Sequence, residues 1–463
     1  MKKGRHYKEE EIKVLSESII GKTFREIQDA NLMTVKETKI TKGGLGAIIE
    51  QDLFGIEANQ ESAPDFVDAG IELKVTPYKR NKDNSLSAKE RLVLNIIDYK
   101  TEYKNEFKSS HFWYKNNKIQ ILWYLHEDEK EKLDFKITHE KLLELEFSED
   151  LKQIEEDWNT IINKIREGKA HEISEGDTMY LGACTKGANS QSLREQPESP
   201  IKAMQRAFCF KNSYMTQLVR KHIGDYSNVE KILEGTKKTF MEFINDTIKK
   251  YIGKSQTELK TLFKIDSTAK NINTIIINRM FNIKGNLSDT EEFLKSNIQP
   301  RTVRIEKNGR IKESFPFPSF KYTELVNEEW ETSEFRDRLE NTKYLFFIFE
   351  NNGEDYIFKG VKLWNMPETD IEEYVKEVWL KTKDVILSGN IVNRIDDNGY
   401  RITNFPGMKE NKVCHVRPHA INMNDTFPLP VKDKFTGLEE YTKHCFWLNS
   451  KYIEGILIDE NRN

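Results

Sequence analysis

Residues 47–56, AIIEQDLFGI, return as TIIINRMFNI at 274–283, and this internal echo constrains the fold more than any other feature of the 463-residue chain. IGKTFREI at 20–27 has a counterpart in IGKSQTEL at 252–259, TKGAN at 185–189 in PHAIN at 418–422, and AFCFKNSYM at 207–215 in CFWLNSKYI at 445–453. The matches keep one order along the chain. They predict two diverged copies of one domain of roughly 230 residues, long enough for each to bury its own core. The polar stretch GDYSNVEKILEG, with a glycine at each end, reads as a linker and divides the chain into 1–225 and 226–463.

The first copy reads as mixed α/β. Amphipathic helices are expected over 7–19, 45–54 and 150–167, and strands over 70–77, 91–99 and 118–125, the last spelled KIQILWYL. FCFKNSYMTQLVRKH runs from a strand into a helix. A net charge of −4 is unlike that of a protein that coats DNA. It leaves room for an enzyme that meets DNA in one cleft, because phosphates respond to the local field and metal-holding carboxylates lower the total. Cys184, Cys209, Cys414 and Cys445 form no C-x-x-C pair, and with His415, His419 and His444 they match no usual zinc-finger spacing. The charged start has no apolar signal core and no apolar run approaches a membrane span, so the chain reads as soluble, reduced and cytoplasmic.

APDFVDAGIELKVTPYK at 63–79 is the candidate site. On a strand, Glu72 and Lys74 share one face while Ile71 and Leu73 point to the core. Asp68, Ala69 and Gly70 allow a turn that brings Asp65 back to Glu72. Two neighbouring carboxylates repel unless a cation lies between them, and hard oxygen ligands suit Mg²⁺. Lys74 beside them can orient a water and offset charge on a phosphorane, which is the machinery of phosphodiester hydrolysis. The triplet alone is weak. Asp/Glu-x-Lys recurs at Glu11–Lys13 and Asp134–Lys136, and from the triplet alone an edge strand with a solvated Glu and Lys is the commoner outcome. Two features favour a site. Glu50 lies on the polar side of the predicted 45–54 helix, where it can add a third carboxylate, with Lys42 just upstream. The repeat is the second: it places Ile277, Glu292, Gln299 and Arg301 where the first copy has Glu50, Asp65, Glu72 and Lys74, yet keeps the apolar pairs Phe54/Phe281 and Ile71/Ile298.

A second constellation occupies 171–221. Lys186, Arg194, Lys202, Arg206, Lys211, Arg220 and Lys221 supply positive charge, Asn189, Ser190, Gln191 and Ser192 crowd one loop, and Tyr180, Phe208 and Tyr214 are near in sequence. Lys and Arg read guanine, Asn and Gln read adenine, and hydroxyls hold phosphates, so Lys186, Asn189, Arg206, Lys211 and Tyr214 are candidate DNA contacts. A solvated polar loop has the same composition.

Taken together, LGAIIEQDLFG, PDFVDAGIELKVTP, KERLVLNIIDY, HEISEG, CTKGAN, SLREQP and RAFCFKNSYMT resemble the mismatch-repair nickase MutH. They resemble still more closely the type II restriction endonucleases that cut GATC and are built from two MutH-like domains. The resemblance implies a PD-(D/E)xK fold and Mg²⁺-dependent cutting of duplex GATC. It makes Asp65 and Glu72 metal ligands, Lys74 the catalytic lysine, Glu50 the helix carboxylate of the active site and Lys42 an accessory lysine. Lys186 falls where the family contacts bases, although the nickase has Arg-Pro-Lys where this chain has Cys184-Thr185-Lys186, and Cys209 stands in place of a tyrosine. The second domain is implied to be an effector that binds another GATC through Arg417, His419 and Asn422. Self-association on DNA and a cognate methyltransferase as functional partner follow from the same resemblance. Two other readings remain at this point: a MutH-type GATC nickase, and a GATC-binding module without catalysis.

Overall fold

The computed structural model describes residues 4–32, 44–57, 62–187, 192–224, 226, 228–311, 313–391, 393–395, 397 and 401–458. The chain forms two compact units, one of Met1–Phe243 with Ser288–Asn297, the other of Ile244–Leu287 with Ile298–Asn463. The division therefore lies beyond the expected 225/226, and a short segment of the second copy belongs with the first unit. That segment is the helix Glu291–Ser296. Its Lys295 is 3% exposed and its ammonium sits 2.7 Å from Asp150, while Ser213 donates to the Lys295 carbonyl.

Helices α1 (Glu9–Ser18), α2 (Phe24–Leu32) and α3 (Gly44–Ile48) open the first unit. Strands β1 (Glu72–Arg80), β2 (Leu86–Ala88), β3 (Leu92–Ile96), β4 (Lys118–Leu125) and β5 (Ile137–Glu144) follow, with α4 (His111–Asn116) just before β4. After α5 (Leu151–Arg166) come β6 (Leu181–Thr185), β7 (Leu193–Gln196), β8 (Ser199–Met204), β9 (Arg206–Phe210) and α6 (Asn212–Ile223). Among the described residues one sheet has the order β2-β1-β4-β5, a second β3-β9-β6, and β7 and β8 form a hairpin. β1 runs parallel to β4, Glu72 opposite Ile119, and β5 returns antiparallel. Ile119 to Trp123 are buried without alternation, as in a strand covered on both faces. Ile154, Trp158, Ile161, Ile162 and Ile165 form the buried stripe of α5, spaced at helical intervals.

The mixed α/β class is as the sequence predicts. The predicted helix at 45–54 divides: α3 widens into a π-helical turn over Ile49–Phe54, closed by Gly55 in the left-handed region at φ 72°.

The second unit repeats these pairings. Its strands are β10 (Ile298–Ile305), β11 (Phe315–Pro316), β12 (Lys343–Asn351), β13 (Tyr356–Asn365), β14 (Asn393–Ile395), β15 (Arg401–Thr403), β16 (Cys414–Pro418), β17 (Thr426–Pro428), β18 (Glu440–Thr442) and β19 (His444–Leu448). β10 lies parallel to β12 and β13 antiparallel, as β1, β4 and β5 do, and β11-β19-β16 matches β3-β9-β6. Gln299 faces Tyr344 at the second position of β12, as Glu72 faces Ile119 at the second position of β4. Gly70 and Asn297, each just ahead of its strand, both have positive φ, 65° and 50°. Among the described residues no helix is long and apolar enough to cross a membrane.

Candidate active site

β2 pairs only with Tyr78–Arg80, so the first half of β1 has β4 on one side and an open edge on the other. The chain before β1 folds onto that edge. Phe66 and Ile71 exchange backbone hydrogen bonds at 2.9 and 3.2 Å across the turn at Gly70. Asp65 thereby comes alongside the strand, and its Oδ2 accepts the Leu73 N–H at 2.9 Å. Phe66 is fully buried and meets Phe54 and Tyr7 edge-on at 4.8 and 6.0 Å, which ties the Asp65 loop to the π-helical turn that carries Glu50.

Glu72 and Lys74 share one face of β1, as alternation requires. Lys74 Nζ lies 2.7 Å from Glu72 Oε1. Glu72 is 3% exposed, and its Oε2 is buried without a hydrogen-bond partner. Lys115 Nζ, on α4, lies 3.4 Å from that oxygen. The electrostatics show how close the groups stand. Burial, then the Glu72 charge, pushes the Asp65 carboxyl up from 3.8 to about 6. Burial also raises Glu50, with Lys74 and Lys115 pulling it down and Glu72 pushing it up. Asp65, Glu72, Lys74 and Glu50 therefore lie within reach of one another's charge.

Lys115 is a residue the sequence reading missed. It donates to the Ala63 carbonyl at 3.2 Å as well as pairing with Glu72. Arg5 donates to the carbonyls of Pro64 and Asp65, and His111 contacts that of Ser62. The four carbonyls of residues 62–65 are thus all held. A lysine in HFWYKNN, directly before a parallel strand, is the only signal the sequence offers for this role.

Carboxylates are suitable donors for a hard cation, and the orphaned Glu72 Oε2 is an oxygen without a proton to accept. Mg²⁺ is commonly held by one or two carboxylates, with water and substrate phosphate completing its shell, so the Asp65/Glu72 pair fits it in kind. Among the described residues no three His, Cys, Asp or Glu side chains stand together as ready ligands. Here the cation on Glu72 is the Lys74 ammonium.

The other predicted residues fall into three groups. Lys42 and Asn189 lie outside the described residues. Lys186, exposed just after β6, is anchored through its backbone N–H to the Gln205 carbonyl at 2.8 Å. Arg206 is half-buried and donates to the Ala183 carbonyl at 2.7 Å. Lys211 and Tyr214 are corrections. Tyr214 is fully buried, stacked on Tyr180 and bonded to Asp150, and Lys211 has its ammonium on the carbonyls of Glu175 and Thr178. Both brace the start of α6 from inside. In the second unit Arg417 and His419 are exposed and gather on one ring: the Arg417 guanidinium is 3.7 Å from the centre of Trp447, and His419 meets it edge-on at 5.3 Å. Asn422 is exposed in the loop beyond, its side-chain oxygen accepting the Asn424 N–H.

The repeat positions hold no such cluster. Glu292 accepts the backbone N–H groups of Ile232 and Leu233, at 3.0 and 2.9 Å. Pro300 replaces Leu73 and has no N–H to offer a carboxylate. Ile277 is buried.

A carboxylate pair and a lysine at the head of a strand parallel to its neighbour, in a mixed sheet flanked by helices, define the class of PD-(D/E)xK nucleases. Residues 54–157 match the family model described as DNA mismatch repair enzyme MutH. The type II restriction enzyme Sau3AI of Staphylococcus aureus is 37% identical over 473 residues, covering 94% of this chain and 95% of that enzyme. The DNA mismatch repair protein MutH of Vibrio campbellii is 28% identical over 46% of this chain and 94% of its own. A solved complex of the restriction endonuclease MvaI with cognate DNA is 14% identical over 45% of this chain and 96% of that chain, with a TM-score of 0.19, too low to bear on the fold. The chain belongs to the family of the type II restriction enzyme Sau3AI, and it is a site-specific deoxyribonuclease.

Proposed function

We propose that the enzyme hydrolyses both strands of duplex DNA at GATC with Mg²⁺, leaving 5′-phosphate and 3′-hydroxyl ends. In this reading the first unit cuts, and the second binds another GATC copy and promotes cutting. One observation carries it: the first copy of the repeat brings Asp65, Glu72, Lys74 and Glu50 within reach of one another's charge, while the second copy has Gln299 and Arg301 at the matching strand positions and Glu292 committed to two backbone N–H groups. The GATC substrate is supported by the family and by Lys186 at the foot of β6.

Asp65 and Glu72 would hold the ion, which would supply positive charge to offset that building on the phosphorus oxygens. Lys74, beside Glu72 Oε1, orients the attacking water and offsets charge on the phosphate. Glu50, raised by burial, is placed to take the water's proton. Water oxygen bonds to phosphorus, the bond to the 3′ oxygen breaks, and that oxygen takes up a proton from solvent. Lys115 pairs with Glu72 Oε2 and donates to the Ala63 carbonyl. Each chain carries one such cluster among its described residues, so cutting both strands calls for a second copy on the DNA or two successive nicks. Arg417, His419 and Asn422 are the proposed contacts of the effector unit, Lys42 and Asn189 further contacts of the cutting unit. A cognate methyltransferase protects the host's sites, in the cytoplasm.

Digestion of a plasmid with two GATC sites tests this. Wild-type protein with Mg²⁺ is expected to give linear fragments ending at GATC, and Glu72→Gln to bind the same DNA without cutting it. Equal cutting by both overturns the site. Nicked circles as the final product favour the nickase reading, to which the single cluster per chain also points.

A further inference from the structure

β3 is interrupted. Its ladder with β9 slips between Val93 and Ile96. A bulge of this kind re-aims a side chain. The one re-aimed is Asn95, 7% exposed, which reaches α4. Asn116 donates to Asn95 Oδ1 at 2.8 Å, and the Asn95 amide nitrogen lies 3.3 Å from His111 Nδ1. His111 Nε2 lies 2.8 Å from the Ser62 carbonyl oxygen. These partners select one tautomer. A carbonyl only accepts, so Nε2 carries the proton, and Nδ1 is left to accept from the Asn95 amide.

The two ends of this chain of bonds have different duties. Ser62 begins the held segment that ends at Asp65. β3 shares β9 with β6, and β6 runs directly into Lys186. The Asn95–His111 link, at 3.3 Å, is at the long end for a hydrogen bond, so a small shift of β3 makes or loses it.

We propose that Asn95 and His111 are positioning residues that couple the DNA-reading sheet to the Asp65 loop, so that base recognition at β6 is converted into cutting geometry at Asp65. The proposal rests on the assignment of Asp65 to the cleavage site. Coupling of this kind acts on the rate with the correct sequence bound; a pair that only stabilised the fold would affect every substrate alike.

The test uses full-length protein, Mg²⁺ and two duplexes, one with GATC and one with a single base pair of it altered. Single-turnover cleavage and binding without metal are measured for wild type, His111→Phe, Asn95→Ala and His111→Gln. His111→Phe and Asn95→Ala are expected to cut the GATC duplex about 10- to 100-fold more slowly at nearly unchanged affinity. They should slow the altered duplex much less, so that discrimination shrinks. His111→Gln, whose amide can still donate to Ser62, should recover most of the rate. Equal slowing on both duplexes, slowing that tracks lost affinity, or an undiminished GATC rate overturns the coupling. His111 is only half-buried, so its variants remain informative if Asn95→Ala, in the interior, does not fold. Failure of wild type to cut GATC overturns the substrate assignment itself, a result distinct from those.

Discussion

Asp65 is buried beside Glu72 and titrates near 6 instead of 3.8. In the metal-free protein its raised value means that the fold favours the neutral carboxyl. The associated stability is fully present below 3.8 and is lost as pH rises through about 6, a swing of roughly 3 kcal/mol. The proposed Mg²⁺ would reverse the preference, because a cation favours the ionised form. With chelator present, the melting temperature is therefore expected to fall between pH 4.5 and pH 7 by an amount that Asp65→Asn removes, and the rise on adding Mg²⁺ should be larger at pH 7 than at pH 5. Lys115→Ala leaves Glu72 Oε2 and the Ala63 carbonyl without their cation. It is expected to slow single-turnover cleavage about 10- to 100-fold while DNA still binds, whereas Lys74→Ala removes a group at the reacting centre and should cost about 1000-fold or more. Asp65, Glu72 and Lys74 were legible because strand alternation and one turn suffice to bring them together. Lys115 was not, because it arrives from 41 residues beyond Lys74 on a separate helix, a juxtaposition that only the β1/β4 pairing creates.

Helix α5 illustrates what an element contributes to a distant site. Its apolar stripe was readable from spacing, but Asp157 sits within that stripe, 2% exposed. Its carboxylate accepts the backbone N–H groups of Met179, Tyr180 and Leu181, at 2.8, 2.6 and 2.9 Å, and the Gln153 amide at 3.0 Å. It thereby fixes where β6 begins, and with it the position of Lys186. Asp157→Ala strands three buried backbone donors and the Gln153 amide, and is expected to cost about 3 to 5 kcal/mol in a denaturant melt. Sequence patterning predicts a carboxylate on a helix to be solvated, and the backbone donors that make this one structural lie more than twenty residues away. The same blindness explains Lys211 and Tyr214. A lysine and a tyrosine beside a polar loop resemble DNA contacts until α6 turns them inward. The strand KIQILWYL was readable because a continuous β-branched and aromatic run has few other uses. The π-helical turn at Ile49–Phe54 was not, because a widened turn keeps the apolar spacing of an ordinary helix to within a residue.

For the whole molecule the repeat was the most informative signal, since both units reproduce one set of strand pairings. It misplaced the boundary because similarity between copies records descent, whereas compactness records packing. The helix Glu291–Ser296 belongs to the second copy by sequence, yet its Lys295 is held by Asp150 of the first unit. A chain ending at residue 225 would lose that ammonium and leave Asp150 with only Tyr214 among its named partners, so its expected outcome is a lowered melting temperature. Loss of cutting by such a truncation would report damage to the first unit and say nothing of regulation. A point change at the second unit's surface separates the two. Arg417→Glu reverses a charge exposed on Trp447. If the second unit binds a further GATC copy, this variant should bring the ratio of two-site to one-site plasmid cleavage down towards one, and an added GATC oligonucleotide should no longer stimulate cutting. A ratio equal to that of wild type, with folding unchanged by circular dichroism, would remove Arg417 from the effector surface and leave the second unit without its best-placed DNA contact.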